Sequence, residues 1–164
     1  GMSAVVDTFQ LVGVHLDHRE IIADELWTSL NKRVRKDLKF QQEFGELDTT
    51  EQIHWADRIV NETLRMLRLM ATRSGRYGPS VLVEIGWHIF ILDTRPYAEF
   101  CQAIAGEFIH HHPGGDGEVT VADMIDAFDA NGLGPADLEL WIGATVCGTG
   151  TCGGGGGGGD GGGD

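Results

Sequence analysis

Apolar positions recur along this chain mostly with the period of a helix. In "LDHREIIADELWTSLNKRVRKDLKFQQEFG", Ile22, Leu26, Leu30, Val34 and Leu38 form one stripe. Asp17 and Glu20 stand in capping-box spacing ahead of it, and Gly45 is a suitable stop. These signals predict a helix over 18–44. In "TTEQIHWADRIVNETLRMLRLMATRSG", Thr49 and Gln52 have the same box spacing, and Ile53, Ala56, Val60, Leu64, Leu67 and Ala71 share a face. A second helix is expected over 50–74, ended by Gly75. Ser80 caps a third over 80–92 that is apolar nearly all round, which predicts the central and most buried helix. After "LDTRP" a fourth runs over 95–111, Pro96 being harmless in a first turn. Two short helices follow, one capped by Thr120 and one starting at Pro135. No segment carries a convincing strand pattern. The fold class is all-α, an irregular helical bundle of five to six helices.

From Cys147 onward, twelve of eighteen residues are Gly, so there is almost nothing apolar to offset backbone entropy. The expected organisation is an N-terminal segment 1–16, a helical domain 17–146 and a disordered Gly/Cys-rich tail 147–164. The 164 residues include 12 Lys and Arg against 25 Asp and Glu, a net charge of −13. That balance argues against nucleic acid and against anionic membranes as partners. No apolar run approaches a membrane span, and the first residues lack a signal-peptide pattern. The expected location is cytoplasmic, and the expected partner is a protein. Three cysteines without framework spacing argue against a disulfide scaffold. "DANGLGPADLEL" superficially suggests a calcium loop, but Leu133 and Leu140 fall where oxygen ligands belong.

The chemistry concentrates in "SVLVEIGWHIFILDTRPYAEFCQAIAGEFIHHHP". Glu84 and His88 are the two ionisable groups of the third helix, four residues apart and so neighbours on one face. Enclosed in the bundle, they would form a structural polar pair or the start of a metal or catalytic site; the cofactor is open, a divalent metal being one candidate. If the third and fourth helices are straight and antiparallel, His110 and His111 lie too far along the fourth to share an ion with His88. Cys101 is closer, which leaves Glu84, His88 and Cys101 as the same-hairpin candidates for metal or thiol chemistry. The alternative for Cys101 is a small buried hydrophobe. His110–His112 suit a helix C-terminus, where imidazolium is favoured by the dipole. His15 and His18 suit a surface turn. Gly86 and Gly106, inside expected helices, suit close approach of neighbouring backbones. Cys147 and Cys152, as C-x4-C without a second pair, are candidates for tail modification rather than structural zinc.

Trp87-His88, Asp93-Thr94 with Tyr97 and Cys101, and Gly106 with Ile109-His110-His111 together resemble the GRDP-like family, the glycine-rich domain-containing proteins of plants, fungi and bacteria. The resemblance is strong over residues 79–113 and general over the first two helices. This chain has Glu84 where the pattern has Asp, and Phe90 where some relatives carry a second His. The resemblance implies a helical fold and no established reaction. Three functions are open at this point: a helical interaction module with a polar site at Glu84 and His88; a metal- or thiol-dependent enzyme using Glu84, His88 and Cys101; and a carrier presenting its Cys/Gly tail.

Overall fold

The computed structural model describes residues 16–73, 75–112 and 119–142. Among them are seven α-helices and no strand: α1 Asp24–Lys36, α2 Leu38–Phe44, α3 Thr49–Ala71, α4 Val81–Leu92, α5 Thr94–Ala105, α6 Val121–Ala130 and α7 Leu138–Ile142. The all-α bundle is as expected. The tail, with Cys147 and Cys152, His15 and most of the N-terminal segment lie outside the described residues. Among those described, no helix is long and apolar enough to cross a membrane.

The first expected helix is two. Asp37 adopts an extended conformation (ψ 139°), and its carboxylate accepts from the Lys39 and Phe40 amides, capping α2. An Asp that competes for backbone donors can end one helix and start the next without Gly or Pro. α1 also starts later than expected. Residues 16–21 form turns, and Asp17 and His18 pack against α3 instead of opening a helix. α3 is capped by Asp48, whose side chain accepts from Glu51 N, rather than by Thr49. Gln52 turns to the Leu47 carbonyl and Gln41. Ser80 caps α4 and Thr120 forms a full capping box with Asp123, both at the expected positions.

The central helix is α3, not α4. Between Ala56 and Leu69 nearly every α3 side chain is buried, including Arg58, Asn61, Glu62 and Arg65. Those polar groups are admissible inside because each is paired. Glu62 meets Arg65 Nη1 at 2.6 Å and accepts from the Asp137 amide and from Trp141 Nε1 at 2.9 Å. Arg58 holds the Asp137 carboxylate with two donors at 2.6 and 2.9 Å. The C-terminal helices are thus pinned to α3 by charge and by apolar contact. Gly86 shows how closely α4 packs: a Cβ there would land on Thr63 Oγ1, with Ile59 Cγ2 at 2.9 Å. Gly106 is different. Its φ of 71° lies in the left-handed region and its Cβ direction is open, so it ends α5 rather than easing a contact.

Candidate functional site

α4 carries Glu84 and His88 one turn apart, with Glu84 Oε1 3.3 Å from His88 Nε2. The pair stands at the rim of the bundle, not within it: the Glu84 side chain is 25% exposed and that of His88 50%. The inner face of α4 is taken by Leu82, Val83, Gly86 and Phe90, all buried. Glu84 and His88 flank that face, so neither needs the buried pairing expected of them.

A third group joins from elsewhere in the chain. His111 Nε2 lies 3.4 Å from Glu84 Oε1 and 3.1 Å from His88 Nε2, and its side chain is only 15% exposed. In the expected long fourth helix, His110 and His111 lay too far along to reach His88. Helix α5 instead stops at Ala105, and Gly106 lets the chain reverse. Residues 107–112 then run back along α4. His111 rests against the Trp87 indole, ring centroids 4.3 Å apart. His110 and His112 are exposed, with His110 against Phe108 at 4.8 Å.

Cys101 does not belong to this group. It is fully buried on the inner face of α5, beside Tyr97, and behaves as a small core residue. Among the described residues, the set of His, Cys and carboxylate side chains whose ligand atoms converge is Glu84, His88 and His111, all within 4.8 Å of one another. The Gly106 signal was present in the sequence as a helix stop, and treating it as one would have brought His111 into reach.

The supporting residues are Trp87 and Tyr97. Trp87 Nε1 donates to the Tyr97 hydroxyl at 3.0 Å, and that hydroxyl donates to the Ile109 carbonyl at 2.6 Å. Burial pushes the Tyr97 phenol above its usual range, so it keeps its proton.

His18 is also buried, contrary to a surface turn. Arg68 Nη1 donates to its Nε2 at 2.8 Å, which fixes the other ring nitrogen as the donor to Asp17 Oδ1 at 2.9 Å. Both nitrogens are committed, and burial lowers its pKa from 6.5.

The family model that matches this chain is UCP032817-like, over residues 21–117. The chain belongs to the UCP032817-like family. The matched span contains all three site residues and both supporting aromatics, and stops short of α6 and α7. No curated protein and no solved structure matches the chain.

No placement of the two Nε2 protons makes all three contacts favourable at once. An ionised carboxylate only accepts, and each Nε2 either donates or accepts. With both imidazoles protonated at Nε2, two donors crowd within 3.1 Å of each other, and with only one protonated, a lone pair faces the carboxylate. A cation at the common centre satisfies all three at once. Two donor atoms about 2.0–2.1 Å from one ion lie about 2.9 Å apart at a right angle and about 3.4 Å apart at the tetrahedral angle. The observed separations, 3.1 to 3.4 Å, fall within that interval.

Proposed function

We propose that this domain is a helical divalent-metal-binding module, with Glu84 Oε1, His88 Nε2 and His111 Nε2 as the protein ligands. The observation that carries the proposal is the mutual spacing of those three atoms. Two imidazoles and one carboxylate suit zinc and the neighbouring first-row metals rather than calcium or magnesium, which prefer oxygen. Three protein ligands leave at least one coordination position for water or another ligand, on the side where His88 meets solvent. The arrangement is therefore that of an open site and not of a closed structural one.

A titration of metal-stripped protein with Zn(II), followed by calorimetry and elemental analysis, tests the proposal. One equivalent should bind, and Glu84→Ala, His88→Ala and His111→Ala should each weaken binding at least tenfold. His110→Ala with His112→Ala should leave it in place. Binding that survives all three ligand substitutions, or that follows His110 and His112, would overturn it.

A second reading draws on Leu92. It lies one turn beyond His88 on the same face of α4 and is 75% exposed. An apolar side chain beside the polar cluster supports the reading as a helical protein-interaction module, with the cluster as part of the docking face. A partner pull-down that depends on Leu92 and not on metal would favour it.

A further inference from the structure

We infer that Tyr97 is a positioning residue that selects His111, out of the three consecutive histidines, as the third metal ligand. The inference rests on the metal site proposed above. Glu84 and His88 are held by the backbone of α4. His111 has no helix beneath it; it lies on the returning strap 107–112, and something must set which side chain of that strap faces α4.

The strap alternates. Ile109 is partly buried against the core and His111 is mostly covered, whereas Phe108, His110 and His112 are exposed. Side chains of an extended segment alternate sides, so a slip of one residue would turn His111 outward and present His110 or His112 to the site. The spacing of the three histidines thus makes register the deciding variable.

Beside the packing of Ile109 and the ring contacts of Phe108 and His111, two described polar contacts outside the metal site tie the strap to the body. The Arg73–Glu107 ion pair, at 2.7 Å, joins side chains 57% and 61% exposed, and such pairs hold little. The Tyr97 hydroxyl is the other. Indole N–H can only donate, so the bond from Trp87 Nε1 makes the Tyr97 oxygen an acceptor and commits its own proton to the Ile109 carbonyl. That carbonyl is two residues before His111. The Trp87 that orients the hydroxyl also supplies the face on which the His111 ring rests. One indole therefore fixes the anchor and receives the ligand.

The test is a double-substitution cycle on Zn(II) affinity with the full chain. Tyr97→Phe keeps the ring that packs edge-on against Phe90 at 5.2 Å and Phe108 at 5.1 Å, and removes only the hydroxyl. It should weaken Zn(II) binding about tenfold, the scale for groups that orient a ligand from outside the coordination sphere. The more telling result is the dependence on His111. His111→Ala should be far less damaging in the Tyr97→Phe background than in wild type, because His110 and His112 then compete for the position. Equal His111 dependence in both backgrounds would overturn the inference while leaving the metal site standing. If wild-type protein takes up no Zn(II), the metal site itself fails. Should Tyr97→Phe not fold, as judged by circular dichroism, histidine side-chain NMR of wild-type protein decides instead. Zn(II) must then shift the Nε2 of His111 alone among the three strap histidines, and ligation shared with His110 or His112 would overturn the selection.

Discussion

The polar layer around α3 and the polar cluster on α4 are built from similar side chains and work in opposite ways. Around α3, Glu62 is enclosed and each of its contacts is complementary: Arg65, the Asp137 amide and the Trp141 indole all donate to it. Around Glu84, the neighbours are two imidazole nitrogens that converge on one point with it, and the group is open to water on the His88 side. Guanidinium groups bring fixed donors and permanent charge, which closes a buried network. Neutral imidazoles bring a lone pair each, and the rim cluster sets two of them beside a carboxylate. The comparison separates a lock that holds α6 and α7 to the body from an open rim cluster, the one proposed above as a metal site.

The largest expected effect is on the lock. Glu62→Ala leaves Arg65 buried beside two unmatched donors, and breaking such a pair costs about 3–5 kcal/mol. Urea denaturation measures it; a loss below about 1 kcal/mol, the scale of a solvated pair, would mean that the layer is hydrated and the contrast is false. Next is the α3–α4 seam. Gly86→Ala drives a methyl into Thr63 Oγ1 and Ile59, and overpacking of this kind costs about 1–3 kcal/mol. A thermal melt unchanged by Gly86→Ala would show that α4 can draw back from α3.

A smaller effect is expected from pH. Burial lowers the His18 pKa below 6.5, so in the window beneath 6.5 the unfolded chain takes up a proton that the folded chain does not. The stability contributed by neutral His18 is complete above pH 6.5 and is lost as pH falls through its folded value. Melting temperature should therefore fall between about pH 8 and about pH 5, and His18→Gln should flatten that slope relative to wild type. An identical slope in the variant would assign the acid sensitivity to other groups.

The smallest effect on metal-free stability belongs to the rim. Glu84→Ala should cost less than about 1 kcal/mol there, as for other partly exposed pairs. In wild type, excess Zn(II) should raise the melting temperature, by the equivalent of about 2.7 kcal/mol at a hundred times Kd. Glu84→Ala should abolish that rise while Glu62→Gln, if folded, retains it. A large loss on Glu84→Ala without metal would move the rim cluster into the same class as the lock.

Much of the helical order was legible in short windows. The caps at Ser80 and Thr120 and the pairing of Glu84 with His88 on one face follow from residues within a turn or two of each other; Gly86 signalled a close approach, but its partners Ile59 and Thr63 lie on α3. Three misplacements share one cause. Asp37, Asp48 and Gly106 act through backbone conformations that compete with helix continuation, and an apolar stripe alone does not register that competition. Arg58, Glu62 and Arg65 read as polar positions along a helix, and Asp137 and Trp141, which draw them inside, lie more than seventy residues away in the chain.

By itself, the sequence determined the all-α class and the approximate places of the helices, because these depend on periodicity and on hydrogen bonds between near neighbours. It also placed a carboxylate and an imidazole one turn apart on α4. Only the tertiary structure decided that they stand at the rim, that Cys101 belongs to the core, and that His111 is the third member. The first two follow from which faces of α4 and α5 meet the rest of the bundle, and the third from the left-handed residue at 106 that ends α5 and turns the chain back. Contacts of that kind are set by where distant segments come to rest, and no local pattern carries them.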